Sequence, residues 1–295
     1  MGRNKRQLYV LCDMEGASQI SPENRKAMHY GSTLWSQEGR GFITSDVKAV
    51  CEVANEHGID EIILNDSHDY GNREPNVRMS ELPGNVRMVR RPYLPGKPRH
   101  MVKGDLVGMV IVGMHAMYGG GGFAPHTICA PFGEVTINDI RVGEIGLELA
   151  LFMGTNLLAL VGEQAAVDEA MLLCPNMVGI PVKSLEGHWF PPAIETASVI
   201  RERIYTALKQ RDDATGLDLQ PPYRFTLKPA EGFGFDPNKK SFLRWLSKLT
   251  LFGLAKGALN ETQATWETNS IILGLHALHS TRAFLSKSVS SIAAS

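Results

Sequence analysis

Asp13 and Glu15 stand two residues apart, directly after the apolar run Leu8-Tyr9-Val10-Leu11-Cys12. If extended backbone persists there, both carboxylates point to the same side. His68 follows a second run in Asn65-Asp66-Ser67-His68, and His115 follows a third in Gly113-Met114-His115. Glu144 opens a segment with helical spacing. Two imidazoles and three carboxylates form a nitrogen and oxygen donor set that suits Zn²⁺, with Mn²⁺ or Co²⁺ as substitutes. Five ligands exceed the needs of one tetrahedral ion and match two, with one carboxylate bridging them. Two ions about 3.5–4 Å apart activate water and steady a developing oxyanion. Each residue alone has a blander reading, since an Asp-x-Glu pair commonly sits in a solvated loop and a lone histidine in a satisfied core position. Their joint placement favours the metal reading.

The elements that must position these side chains are legible as alternating runs. Leu8 to Cys12, Glu61 to Leu64, Val86 to Val89, Leu106 to Val112 and Leu157 to Val161 read as strands. The continuous apolar character of 106–112 is expected of a central strand covered on both faces. Ser45 to His57 reads as a helix, with Val47, Val50, Cys51 and Ala54 at i, i+3, i+4 and i+7 and Gly58 as its stop. Glu144 to Met153 is a second helix, closed by Gly154. A third runs through Met171, a fourth carries Ile194, Ala197, Ile204 and Leu208, and a last one spans about Ser270 to Phe284. Such alternation implies an α/β fold on a mostly parallel central sheet flanked by helices. In such a sheet the carboxyl ends of the strands share one edge, where ligands bind. The expected division is a metal-binding catalytic α/β domain over residues 1–190 and a C-terminal α/β region over 191–295 that shapes substrate access or assembly.

Bulk properties narrow the classes. The chain has 295 residues, enough for a sizeable core. Thirty basic against 31 acidic residues give a net charge of −1, which argues against nucleic acid as the main partner. The four cysteines, Cys12, Cys51, Cys129 and Cys174, form no CxxC pair and read as small buried residues in a reducing compartment. The apolar run after Met1-Gly2-Arg3-Asn4-Lys5-Arg6 is short for a signal peptide, and no run approaches a membrane span. The expectation is a cytoplasmic protein without a membrane partner. Gly119 to Gly122 lacks the Lys-Ser/Thr of a phosphate-binding loop. His276 and His279, three apart on a helix, read as packing or solvent residues for want of a carboxylate partner. Arg90-Arg91 reads as solvated, and the basic amphipathic stretch around Trp245 as a packing surface.

The same residues carry a resemblance. Asp13-Met14-Glu15-Gly16, Asn65-Asp66-Ser67-His68, Gly113-Met114-His115-Ala116 and Val142-Gly143-Glu144-Ile145-Gly146-Leu147 resemble the ordered signature blocks of the zinc D-aminopeptidases of the dipeptide-operon (DppA) type. Pro125-His126-Thr127 is similar to that family's catalytic-histidine segment, and Gly39-Arg40-Gly41-Phe42 with Thr44 to the stretch before its first long helix. The likeness covers about residues 7–185, in order. It implies metal ligands at Asp13, Glu15, His68, His115 and Glu144, two zinc ions per chain, and a catalytic histidine at His126. It also implies a homo-oligomer, a decamer, that acts on short peptides with N-terminal D-residues. His126 would serve as proton shuttle or as nucleophile. An amidase acting on a non-peptide amide and a non-catalytic, metal-stabilised assembly or peptide-binding protein are the alternatives.

Overall fold

The computed structural model describes residues 4–70, 74–89, 102–235 and 257–287. In chain order the elements are β1 (Arg6–Cys12), α1 (Arg40–Glu56), β2 (Glu61–Asp66), β3 (Val86–Val89), β4 (Asp105–Met114), β5 (Phe132–Ile137) and β6 (Ile140–Arg141). There follow α2 (Glu144–Leu151), β7 (Leu157–Glu163), α3 (Gln164–Leu173), β8 (Val178–Lys183), α4 (Ala193–Lys209), β9 (Tyr223–Pro229) and β10 (Phe233–Phe235). The chain continues with β11 (Gly257–Leu259), β12 (Ala264–Thr268), α5 (Ile271–Thr281) and β13 (Leu285–Lys287).

Six strands form one parallel sheet in the order β3-β2-β1-β4-β7-β8. The expected α/β architecture is therefore the one the chain adopts. Alternate residues of the central strands feed two separate cores. Leu8, Val10 and Cys12 of β1 join Val110 and Val112 of β4 under α1 and α4. Tyr9 and Leu11 join Met109 and Ile111 on the opposite face, with residues of α2, α3 and α5. Burial of both strand faces explains the unbroken apolar runs, since neither face meets water.

α1 buries Ile43, Val47, Val50, Cys51 and Ala54. It packs beside α4, to which Arg201 ties it by ion pairs to Glu52 (2.6 Å) and Glu56 (2.7 Å). The helix begins at Arg40, before the expected Ser45, and continues a π-helical turn at Trp35–Gly39. No side chain caps its start, so the local signal for a beginning is missing. The last helix ends at Thr281 and passes into a 3₁₀ turn over Arg282–Phe284.

A second sheet, in the order β11-β12-β9-β5-β6, is antiparallel. It draws β5 and β6 from before residue 190 and the other strands from after it. α5 packs on β9 and β12 and reaches α2, so the C-terminal segment lies against the helix that begins with Glu144. The basic stretch around Trp245 and the Arg90-Arg91 pair fall outside the described residues.

Candidate metal centre

β2, β1 and β4 are neighbours, so their carboxyl ends stand side by side. Backbone hydrogen bonds carry the pairing past the strands: Asp13 N–H donates to the Val112 carbonyl (2.9 Å), Gly16 N–H to Gly113 (2.7 Å), and Ser67 N–H to Cys12 (2.9 Å). Gly113, at φ +72°, permits this approach, because a Cβ there would lie 2.3 Å from the Asp13 carbonyl oxygen. Asp13, Glu15, His68 and His115 thus project from one edge, and all four are buried. Glu144, the first residue of α2, and His126, on the loop after β4, are half-buried against them.

All six sequence-predicted residues converge, in two triads. Ligand atoms of Asp13, Glu15 and His68 lie within 4.8 Å of one another, as do those of His115, His126 and Glu144. Asp13 stands between them. Its Oδ1 is 2.9 Å from His68 Nδ1, and its Oδ2 is 3.6 Å from His115 Nε2. Glu15 Oε2 is 3.1 Å from His68 Nδ1, and Glu144 Oε2 is 3.9 Å from His115 Nε2.

The histidines share one pattern. A carbonyl oxygen only accepts, so a ring nitrogen facing one must carry a proton. His68 Nε2 donates to the Met28 carbonyl (2.8 Å), His115 Nδ1 to Ala116 (2.9 Å) and His126 Nδ1 to Ala124 (3.0 Å). In the neutral tautomer each opposite nitrogen then offers a lone pair. His115 Nε2 is buried with no hydrogen-bond partner, an expensive state unless a cation accepts that lone pair. A backbone carbonyl fixing the tautomer of a metal-ligating histidine is the usual outer-shell arrangement. The ring of His126 stacks on that of His115, with centroids 3.8 Å apart and planes at 15°.

Without a cation, protons compensate the negative charge. Burial and the Glu15 carboxylate push Asp13 up to about 7. Burial also works to raise Glu15, but the charge and hydrogen bond of His68 outweigh it and hold the carboxyl well below its usual range. Burial works to lower His115, yet Glu144, Glu15 and Asp13 carry it up to about 9. His68 is raised well above its ordinary value by Glu15 and Asp13, again against burial. A compact group of carboxylates that must recruit positive charge has the chemistry to hold a cation.

Supporting residues to which the sequence reading gave no role hold the loops in place. Buried Lys183, the last residue of β8, donates to the carbonyls of Glu15 (2.5 Å), Ala17 (2.9 Å) and Ile20 (2.7 Å). Asp46 on α1 accepts from the N–H and hydroxyl of Ser18, both at 2.8 Å. Glu163, the last residue of β7, accepts from Phe123 N–H (2.6 Å) and Ala116 N–H (3.4 Å), bracketing the glycine-rich loop before His126. Glu169 accepts from Met117 N–H (2.6 Å). Asp66 binds Asn76 through its backbone N–H (2.6 Å) and side-chain amide (2.8 Å). The available signal was a charged residue ending a buried strand, as at Glu163 and Lys183.

The sequence pattern of the D-aminopeptidases, peptidase family M55, matches residues 7–231. The chain belongs to the D-aminopeptidase family. A D-aminopeptidase of Bacillus subtilis (strain 168) is 27% identical to it over 225 residues, covering 74% of this chain and 78% of that relative. Among solved structures, the fold is similar to that of a Zn-dependent D-aminopeptidase, DppA from Bacillus subtilis, described as a self-compartmentalizing protease. That likeness has a TM-score of 0.77 at 19% identity and covers 94% of this chain and 97% of the other. Among the described residues no helix is long and apolar enough to cross a membrane.

A pocket opens over the two triads. Asp13, Glu15, His68, His126 and Glu144 line it, together with Asp69, Ile128, Leu147, Glu148 and Leu151. Leu275 and His279 of α5 line it as well, whereas His276 does not.

Proposed function

We propose that this chain is a zinc-dependent aminopeptidase that releases N-terminal residues, D-configured ones in preference, from short peptides. The observation that carries the reading is the meeting of two N/O ligand triads at Asp13, with His115 Nε2 buried and without a hydrogen-bond partner. Membership of the D-aminopeptidase family and the zinc dependence of the structural neighbour support it.

In this proposal Asp13, Glu15, His68, His115 and Glu144 would hold two cations, and the Asp13 carboxylate, which faces both His68 and His115, would be open to both. Two zinc ions held there would polarise a scissile carbonyl and supply a water nucleophile near neutral pH. His126 moves the proton. Its Nδ1 is committed to the Ala124 carbonyl, so Nε2 is the atom that exchanges it, and stacking on His115 fixes its plane. A second reading makes His126 a ligand, since its ring nitrogen belongs to the same close triad as His115 and Glu144. We further propose assembly with copies of itself into a decamer in the cytoplasm. The self-compartmentalizing description of the neighbour supports a homo-oligomer.

The test is turnover by zinc-loaded protein of paired D- and L-dipeptides, their N-acetylated forms and simple amides. Faster release from the D-peptides, abolished by acetylation, is expected. Preference for L-peptides, or for amides lacking an α-amine, would replace this reading with the amidase one.

A further inference from the structure

We infer that α5 and α2 together build the subsite for the side chain of the substrate's N-terminal residue, and that this subsite selects branched aliphatic or aromatic side chains. The inference rests on the aminopeptidase reading and deepens it.

The argument starts at Glu144. Leu147, Glu148 and Leu151 lie three, four and seven residues beyond it, on one face of α2, and all four line the pocket. That face therefore leads away from the ligand triads into an apolar wall, with Glu148 as its polar member. At 5.4 Å per helical turn the wall begins one turn from Glu144. In an N-terminal residue the side chain branches from the carbon next to the scissile carbonyl. A carbonyl seated over the triads would place that side chain within reach of Leu147 and Leu151.

α5, which packs against α2, supplies a further part of the lining. Leu275 and His279, four apart, present one face of this helix to the same pocket. Its depth is set by Gly274, where a Cβ would lie 2.0 Å from the Phe225 ring. Trp266, stacked on Phe225 at 5.2 Å, donates to the Gly274 carbonyl (3.2 Å). A glycine inside a helix is unfavourable by about 1 kcal/mol relative to alanine. Here it lets α5 sink onto β9 and β12, which brings Leu275 to the pocket. Ile128 is the third apolar wall. It lies two residues after His126 at φ +63°, a conformation that strains a β-branched residue. Such strain clusters at ligand-binding sites. α5 lies beyond residue 231, where the family match ends.

The experiment measures kcat/KM of the zinc-loaded protein on two dipeptide series, D-Xaa-Gly and D-Ala-Xaa, with Xaa alanine, leucine, phenylalanine, lysine or aspartate. Each buried methylene is worth about fourfold, so the wild type should favour D-Leu-Gly over D-Ala-Gly by about tenfold or more. Leu275→Trp fills the pocket and should lower that ratio at least tenfold. Leu275→Ala enlarges it and should raise the ratio of D-Phe-Gly to D-Leu-Gly. Melting temperature and zinc content confirm that each variant is folded and loaded, and Leu275→Ala carries the test if Leu275→Trp does not fold. Ratios unchanged within twofold in a folded, loaded variant would overturn the subsite. So would a change confined to the second residue of the D-Ala-Xaa series. A wild type that cleaves no peptide overturns the aminopeptidase reading, and the inference with it. Cleavage indifferent to Leu275 overturns the subsite alone.

Discussion

Lys183→Met tests whether the loop bearing Glu15 is held from below. The ammonium makes three hydrogen bonds, to the carbonyls of Glu15, Ala17 and Ile20 at 2.5–2.9 Å. Methionine matches the stem but leaves three buried acceptors without a donor, at about 1–3 kcal/mol each. Opposing this, burial of the ammonium is itself unfavourable, and it pulls the Lys183 pKa from 10.5 down to about 8. That corresponds to about 3 kcal/mol, so the net destabilisation should be about 3 kcal/mol. A pH signature accompanies it. The folded chain releases this proton near pH 8 and the unfolded chain near 10.5. Between those values the unfolded state holds more protons, so Lys183 makes stability rise with pH across that window. Urea denaturation of chelator-treated protein at pH 7, 8, 9 and 10 measures both effects, and the variant should be less stable at pH 7 and lack the rise. Loosening the 15–20 loop should also weaken zinc binding by about tenfold, the lower end for loss of an outer-shell partner. A loss below about 1 kcal/mol with zinc affinity unchanged would refute the argument, and would leave the Ser18–Asp46 bonds as the support of the loop.

Other expectations follow from the same geometry. His126→Ala should lower kcat by about 10²-fold or more while zinc content, measured by mass spectrometry, stays at the wild-type level; His115→Ala should lose zinc and activity together. Shedding of zinc by His126→Ala would instead make His126 a ligand. Zinc uptake should release protons at pH 7, because Asp13 rests at about 7 and His115 at about 9 in the metal-free chain, with His68 also raised. Apparent zinc affinity should accordingly climb from pH 6 to pH 9, and calorimetry in two buffers of different ionisation enthalpy counts the protons. An affinity independent of pH would contradict the assigned protonation.

The parallel sheet and its site edge were legible because their signals are local. Leu8 to Cys12 and Leu106 to Val112 are apolar throughout, as burial on both faces requires, and the polar residues that follow each run are the ones at the site. The antiparallel sheet was harder to see because its partners are distant in sequence: β5 pairs with β9, so Val135 lies opposite Leu227. β9 did carry a readable alternation, Tyr223, Phe225 and Leu227 inward between Arg224, Thr226 and Lys228, masked by the irregular chain around it. Lys183 and Glu163 reveal their roles only through bonds to backbone far away in sequence, which residue type alone does not encode. His279 reads from sequence as a packing or solvent residue because the pocket it lines is assembled from α2 and α5, over a hundred residues apart.

The most direct test of the central claim is the zinc content of purified protein after dialysis against metal-free buffer, for the wild type and for Asp13→Asn. Two ions per chain in the wild type, with both lost or severely weakened in the variant, is the predicted result, since Asp13 faces both triads. Wild-type protein that binds no zinc, or an Asp13→Asn variant that retains both ions at wild-type affinity, would contradict a two-metal centre built on Asp13.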